Sequence, residues 1–302
     1  MAGGADSLKS ILYALAANFS IAVAKFVAAG ITGSGTMMAE GIHSLADCSN
    51  QGLLIFGLKQ SKKPPSPDYP LGYGRATYFW SFIVALILFS MGGLFSIYEG
   101  LHKLSNPEPL RQPLVAVGVL VFGILVEGGS LFGCIREVNK VRGDRSYWQW
   151  FRESRQSELL VIFGEDLAAM LGMTLALVAV AVAMVTGNPI YDAFGSISIG
   201  ILLVVVAIMI GVEVKSLLIG QGVDPRLRDE IKAFIESQPE VEKVFNLLTM
   251  QLGGDVMLAV KAQMVQHESQ DALIEAINRC EVAIKKEYPA VLWSFFEPDI
   301  RD

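Results

Sequence analysis

Met38-Ala39-Glu40-Gly41-Ile42-His43-Ser44-Leu45-Ala46-Asp47 places an acid, an imidazole, a hydroxyl and a second acid inside an otherwise apolar segment. Successive residues of a helix turn by about 100°, so positions three, four and seven apart share a face. Glu40, His43, Ser44, Asp47 and Gln51 therefore form one polar stripe, with Ile42, Leu45, Leu53 and Leu54 lying largely elsewhere. In a membrane, each charge at the centre of such a helix costs at least ~2.5–3.5 kcal/mol. The stripe must face protein or water and needs a counter-ion. A divalent cation is the simplest, because imidazole with carboxylate suits Zn(II), Fe(II) or Mn(II).

Composition favours a membrane setting. Hydrophobic residues make up 52% of the 302 and charged residues 18%, against roughly 25% charged in a soluble domain. Mean hydropathy is +0.46. Six apolar stretches near the ~20 residues needed to cross a bilayer run over 7–31, 36–58, 76–104, 114–135, 158–185 and 191–218. Pro64, Pro65, Pro67 and Pro70 keep the loop after the second span from being helical. Basic residues set the orientation. Lys59, Lys62, Lys63 and Arg75 follow the second span, and Arg136, Lys140, Arg142, Arg145, Arg152 and Arg155 follow the fourth. Only Lys103 and Arg111 stand on the other side, so both chain ends are expected in the cytoplasm. No targeting segment is read before the first span, which makes a bacterial inner membrane the expected location.

Beyond Gly220 the sequence is of soluble type. Residues 220–302 hold 9 Lys and Arg against 15 Asp and Glu, which accounts for the whole net charge of −6. An acidic chain without a basic patch argues against a nucleic-acid partner. Asp224-Pro225 reads as a helix start, followed by a helix over 226–237, strands over 241–251 and 256–263 about a Gly253-Gly254-Asp255 turn, a helix over 269–288 and a strand over 291–296. The expected fold is therefore a six-helix membrane domain, 1–219, followed by a small αββαβ α+β domain, 220–302. So small a core favours dimerisation. Cys48, Cys134 and Cys280 are far apart, which excludes a disulfide framework or a thiolate metal site.

Releasable metal in a membrane needs ligands from more than one helix. The other adjacent carboxylates deep in a span are Glu165 and Asp166; Glu99 and Glu127 are single acids that could pair with a lysine or cap a polar gap. An HExxH-like metalloenzyme motif is absent, so no catalytic residue and no prosthetic group is assigned.

The segment Ala39 to Asp47, together with six spans, an Asp on the fifth, a basic fourth-to-fifth loop and an αββαβ tail, resembles the cation diffusion facilitator family. Tyr73-Gly74-Arg75 with Tyr78-Phe79-Trp80, and Glu165-Asp166-Leu167-Ala168-Ala169, are similar to its branch containing the mitochondrial zinc exporter. The resemblance implies a homodimer exporting divalent metal from the cytoplasm in exchange for protons. It also implies a site of two residues four apart on the second helix and two on the fifth. His43, Asp47 and Asp166 match that pattern, whereas Ile162 stands where the family commonly has His or Asp. Glu165 and Glu40 are the candidates to complete the shell. Zinc is the expected ion, with Mn or Fe(II) as alternatives because losing a nitrogen ligand favours oxygen-preferring metals; a membrane metal sensor that does not transport is the other alternative. The family's peripheral histidines are also depleted: Tyr69 and Tyr73 accompany Asp68 in the second-to-third loop, and the tail holds a single histidine, His267. Gly41, Gly52, Gly57 and Gly172 are candidate points of close helix approach.

Overall fold

An apolar segment in lipid must satisfy its own backbone, which makes helix the available solution for each long hydrophobic stretch. A computed structural model describes residues 7–32, 35–107 and 113–301, without the side chains of 28, 29, 31–43 and 46. The long helices are α1 (Ser7–Thr32), α2 (Gly35–Ser61), α3 and α4 (Ala76–Ile87 and Phe95–Ser105, joined by a π-helical segment Leu88–Leu94), α5 (Pro113–Val141), α7 (Ser157–Thr186) and α8 (Ile190–Ile219). Five of these stretches are long and apolar enough to cross a membrane: Ser7–Val27, Ala76–Ser105, Pro113–Val141, Ser157–Thr186 and Ile190–Ile219. At 27 residues α2 is long enough as well, and the polar stripe is what makes it less apolar than its neighbours. The chain is an integral, multi-pass helical membrane protein.

The third span is not the uninterrupted α-helix its hydrophobicity suggests. Phe95 N–H reaches back five residues to Ser90 O. Ser90 Oγ donates to Leu86 O at 2.7 Å and Ser96 Oγ to Gly92 O at 2.6 Å, so both hydroxyls are satisfied within the helix. A close helix contact lies here, between Gly93 and Gly200. A Cβ on Gly93 would stand 2.6 Å from Val204 Cγ2, and one on Gly200 2.7 Å from Ile97 N. By contrast Gly52 opens onto empty space, whereas Gly57 meets Trp80 at 3.0 Å and Gly172 meets Ile199 at 3.5 Å; the surroundings of Gly41 lie outside those described.

The chain divides into two compact units, one of 1–58, 78–152 and 157–215, the other of 59–77, 153–156 and 216–302. In the first, α1 packs along α5 and α7, and α5 along α7. Ile11, Ala14, Ala17, Ile21 and Ala22 form the buried face of α1. Outward residues such as Leu114 and Leu125 remain large and apolar, as a lipid-facing surface requires. The fourth-to-fifth connection also contains a short helix, α6 (Tyr147–Glu153), which seats Trp150 and Phe151 in the interior.

In the second unit, the tail forms α9 (Pro225–Glu236), β1 (Val241–Leu252), β2 (Asp255–Met264), α10 (Gln270–Glu287) and β3 (Val291–Pro298). The sheet order is β1-β2-β3, antiparallel between β1 and β2 and parallel between β2 and β3. Asp224 caps α9, accepting from Arg226 N with Pro225 at the first helical position. Ser269 caps α10 through Ala272 N. Gly253, at φ +70, makes the two-residue hairpin in which Leu252 faces Asp255. Ile231 and Ile235 of α9 and Cys280 and Ile284 of α10 close on Val244, Leu247, Leu258, Val260 and Val291. Both helices thus cover one face of the sheet.

Candidate metal site

The site is organised by the buried face of α2. Ser44, Asn50, Gln51 and Leu54 are all at most 3% exposed, while Leu45 is 48% exposed. Leu54 therefore shares the stripe's face, because seven residues return it beneath Asp47 after two turns. Asp47 is half-buried. The backbone at Glu40 and His43 is helical, but both side chains lie outside those described.

α7 presents its two consecutive acids to different neighbours, as a 100° step demands. Glu165 faces α2: Oε1 accepts from Asn50 Nδ2 at 3.2 Å and Oε2 from Gln51 Nε2 at 3.1 Å. Asp166 faces α5, where Oδ2 accepts from Ser130 Oγ at 2.9 Å. They are 8% and 2% exposed. One turn before Asp166, Ile162 is fully buried and offers no ligand atom.

Sequence reasoning left Glu127 unassigned, and the structure brings it to this site. It is 3% exposed on α5, three residues before Ser130, and its electrostatic neighbours are Asp47 and Lys25. Asp166 in turn senses Glu127 and Glu165, and Glu165 senses Asp47. Glu99 behaves differently, pairing with Lys103 at 3.3 Å, and Lys103 also reaches Asp192 at 3.2 Å. Asn50, Ser130 and Lys25 were likewise not foreseen as parts of the site. The polar pair Glu127 and Ser130, three apart on an apolar helix, was an available signal, as was a lysine within a span.

Four carboxylates from three helices are thus linked electrostatically, Asp47 and Asp166 each to both Glu127 and Glu165. Among the described residues, no three His, Cys, Asp or Glu side chains come close enough to hold one ion. Two amide oxygens beside Glu165, Asn50 Oδ1 and Gln51 Oε1, are buried without a hydrogen-bond partner. Each such oxygen costs about 1–3 kcal/mol, which a cation or a water alongside would recover. The arrangement suits reversible binding of a hard or borderline divalent ion through oxygen and, with His43, nitrogen.

The peripheral positions are engaged otherwise. Tyr69 and Tyr73 hold their rings 4.5 Å apart, and the Tyr73 hydroxyl lies 3.3 Å from Ser66 Oγ. In the tail, Glu240 accepts from Arg279 Nε at 2.8 Å, and this guanidinium holds its carboxyl below the usual range. Burial pushes the Cys280 thiol up to about 11, so it is protonated at neutral pH. The three cysteines are free.

Comparison with known proteins gives a consistent picture. The sequence profile described as the cation efflux transmembrane domain matches residues 11–219. The mitochondrial proton-coupled zinc antiporter SLC30A9 of Mus musculus is 33% identical over 247 residues, covering 81% of this chain and 44% of that protein. Metal tolerance protein C4 of Arabidopsis thaliana is 30% identical over 249 residues, 82% of this chain and 54% of the relative. Magnetosome protein MamB of Magnetospira sp. (strain QH-2) is 26% identical over 278 residues, 89% of this chain and 88% of the relative. The chain therefore spans less than half the length of the zinc antiporter that it matches.

Proposed function

We propose that this chain, which belongs to the cation efflux (cation diffusion facilitator) family, exports divalent metal, zinc first, by proton-coupled antiport. The observation that carries the reading is the convergence of the half-buried Asp47 with the buried Glu127, Glu165 and Asp166 from three helices. So many carboxylates in a membrane core are stable only with protons or a cation. Members of this family are transporters, and no catalytic residue is assigned.

In this reading His43, Asp47 and Asp166 ligate the ion and Glu165 completes the shell, oriented by Asn50 and Gln51; Glu40 is the alternative fourth ligand. Closure of α2 on α7 gathers these groups during alternating access. Bound metal requires ionised carboxylates and a neutral imidazole, so metal and protons exchange at the same positions. The ion loads from the side that carries the basic loops, the cytoplasmic side for a bacterial inner membrane, where both chain ends lie. Residues 1–219 transport, and 220–302 dimerise and regulate. Leu248 and Phe295, 60% and 55% exposed on the sheet face opposite α9 and α10, supply apolar surface for a homodimer. A second reading, Mn or Fe(II) as the cargo, is favoured by the apolar Ile162 where the family commonly places a ligand.

Metal uptake into proteoliposomes, comparing Zn, Mn and Fe(II) with and without a pH gradient, tests this. Saturable, pH-coupled uptake in the wild type that is lost in Asp47→Ala is the expected result. Uptake of no metal would sink the transport reading, and flux indifferent to the gradient would remove only the antiport claim.

A further inference from the structure

One charged side chain at the site has no part in the reading above. Lys25 lies in the 26-residue α1, where the other charged residue, Lys9, is in the first turn. Lysines near helix ends usually extend toward the interface. Lys25 instead is half-buried and donates from Nζ to Ser44 Oγ at 2.9 Å. Ser44 follows His43 directly and precedes Asp47 by three residues on the buried face of α2. On the other side, the ammonium lies within electrostatic reach of Glu127, the acid that α5 adds to the cluster. The packing of α1 along both α5 and α7 fixes the lysine against the site rather than against lipid.

A transport site must bind its ion firmly enough to load and weakly enough to let it leave. Three buried carboxylates, Glu127, Glu165 and Asp166, with the half-buried Asp47 concentrate negative charge that favours retention of a divalent cation over its release. We propose that Lys25, held on Ser44 beside Glu127, is a tethered counter-cation that offsets one carboxylate charge and keeps metal binding reversible. The proposal rests on the metal-transport reading of the same site. It assigns Lys25 a positioning role through charge, with no bond to the metal.

The test is equilibrium binding of Zn(II), and separately Mn(II), to the full chain in lipid nanodiscs, measured by competition with a chromogenic chelator. Lys25→Met should tighten binding at least about tenfold, as loss of one nearby repelling charge in a partly screened interior predicts. Glu127→Gln should weaken it by a similar factor. The double variant should return to within about threefold of wild type, and Lys25→Arg should stay there too. Binding by a folded Lys25→Met that is unchanged or weaker overturns the proposal. Should that variant fail to fold, an unchanged affinity in Glu127→Gln overturns it equally. A wild type that binds neither ion defeats the proposal together with the metal site, whereas one that binds tightly yet moves no metal defeats transport alone and leaves Lys25 its role.

Discussion

Ile231, Ile235, Leu258 and Ile284 close the tail around an apolar centre, with its acids at or near the surface. Around α7, Glu127 and Asp166 are buried almost as deeply as Leu160 and Ile162. The tail follows the pattern of a soluble core, in which most buried atoms are apolar or hydrogen-bonded; His267 Nε2 and Trp293 Nε1 are the exceptions among its described side chains. The membrane unit retains carboxylates and amide oxygens that its own partners only partly satisfy. Departures of this kind from local consistency mark functional sites. On the proposed reading, stability resides in the first arrangement and chemistry in the second, so substitutions in the two should separate cleanly.

Asp166→Asn gives the largest expected effect. It keeps the shape and removes the charge, so uptake should fall at least about 100-fold, as loss of a ligand that no neighbour replaces implies. Thermal stability should hold or rise, because an uncompensated buried carboxylate is costly. A variant that both unfolds and loses uptake would break the contrast. Next is Ile235→Ala, fully buried in the tail, which should cost about 2–5 kcal/mol. Faster amide exchange in α9 and β1 would report it, with uptake per folded molecule unchanged; a matching loss of uptake would show that the two regions are not separable.

Glu165→Gln should be milder, weakening metal binding by about tenfold while leaving some transport, because Asn50 and Gln51 hold this acid in place. Wild-type affinity in that variant would hand the fourth ligand to Glu40. The smallest effect concerns Glu240. Arg279 lowers its folded-state value, so the pair stabilises the tail above the normal carboxyl range and loses that contribution as pH falls through the lowered value. Arg279→Ala should therefore raise amide exchange in β1 and α10 slightly at pH 7, with the difference from wild type vanishing once the pH has fallen below the lowered value. A difference that persists at low pH would place the Arg279 contribution in packing rather than charge.

The tail was readable to within a residue or two, because the apolar run along 256–263, a Gly-Gly-Asp turn and a capping Asp224 each act locally. The long helices were equally plain. What one-dimensional reading lacked was the choice of which faces meet. Glu127 on its own helix is a single acid; only the packing of α5 on α7 gives it neighbours. The α6 helix was hidden by its charged surroundings, although Trp150 and Phe151 within it needed burial. Ser130 and Asn50 are ordinary polar residues until a carboxylate arrives from elsewhere in the chain.

The wide turn at Leu88–Leu94 has a meaning in terms of chain length. A π turn is a normal helix carrying one surplus residue. Deleting one position there, Ser90 for example, would restore the tighter winding and leave the faces of Ala76–Ile87 and Phe95–Ser105 as they are. The same deletion in α7 ahead of Glu165 would rotate every later side chain by a quarter turn and more, exchanging the neighbours of Glu165 and Asp166. Length variation among functional descendants of this chain should therefore collect in the third span and spare the fifth.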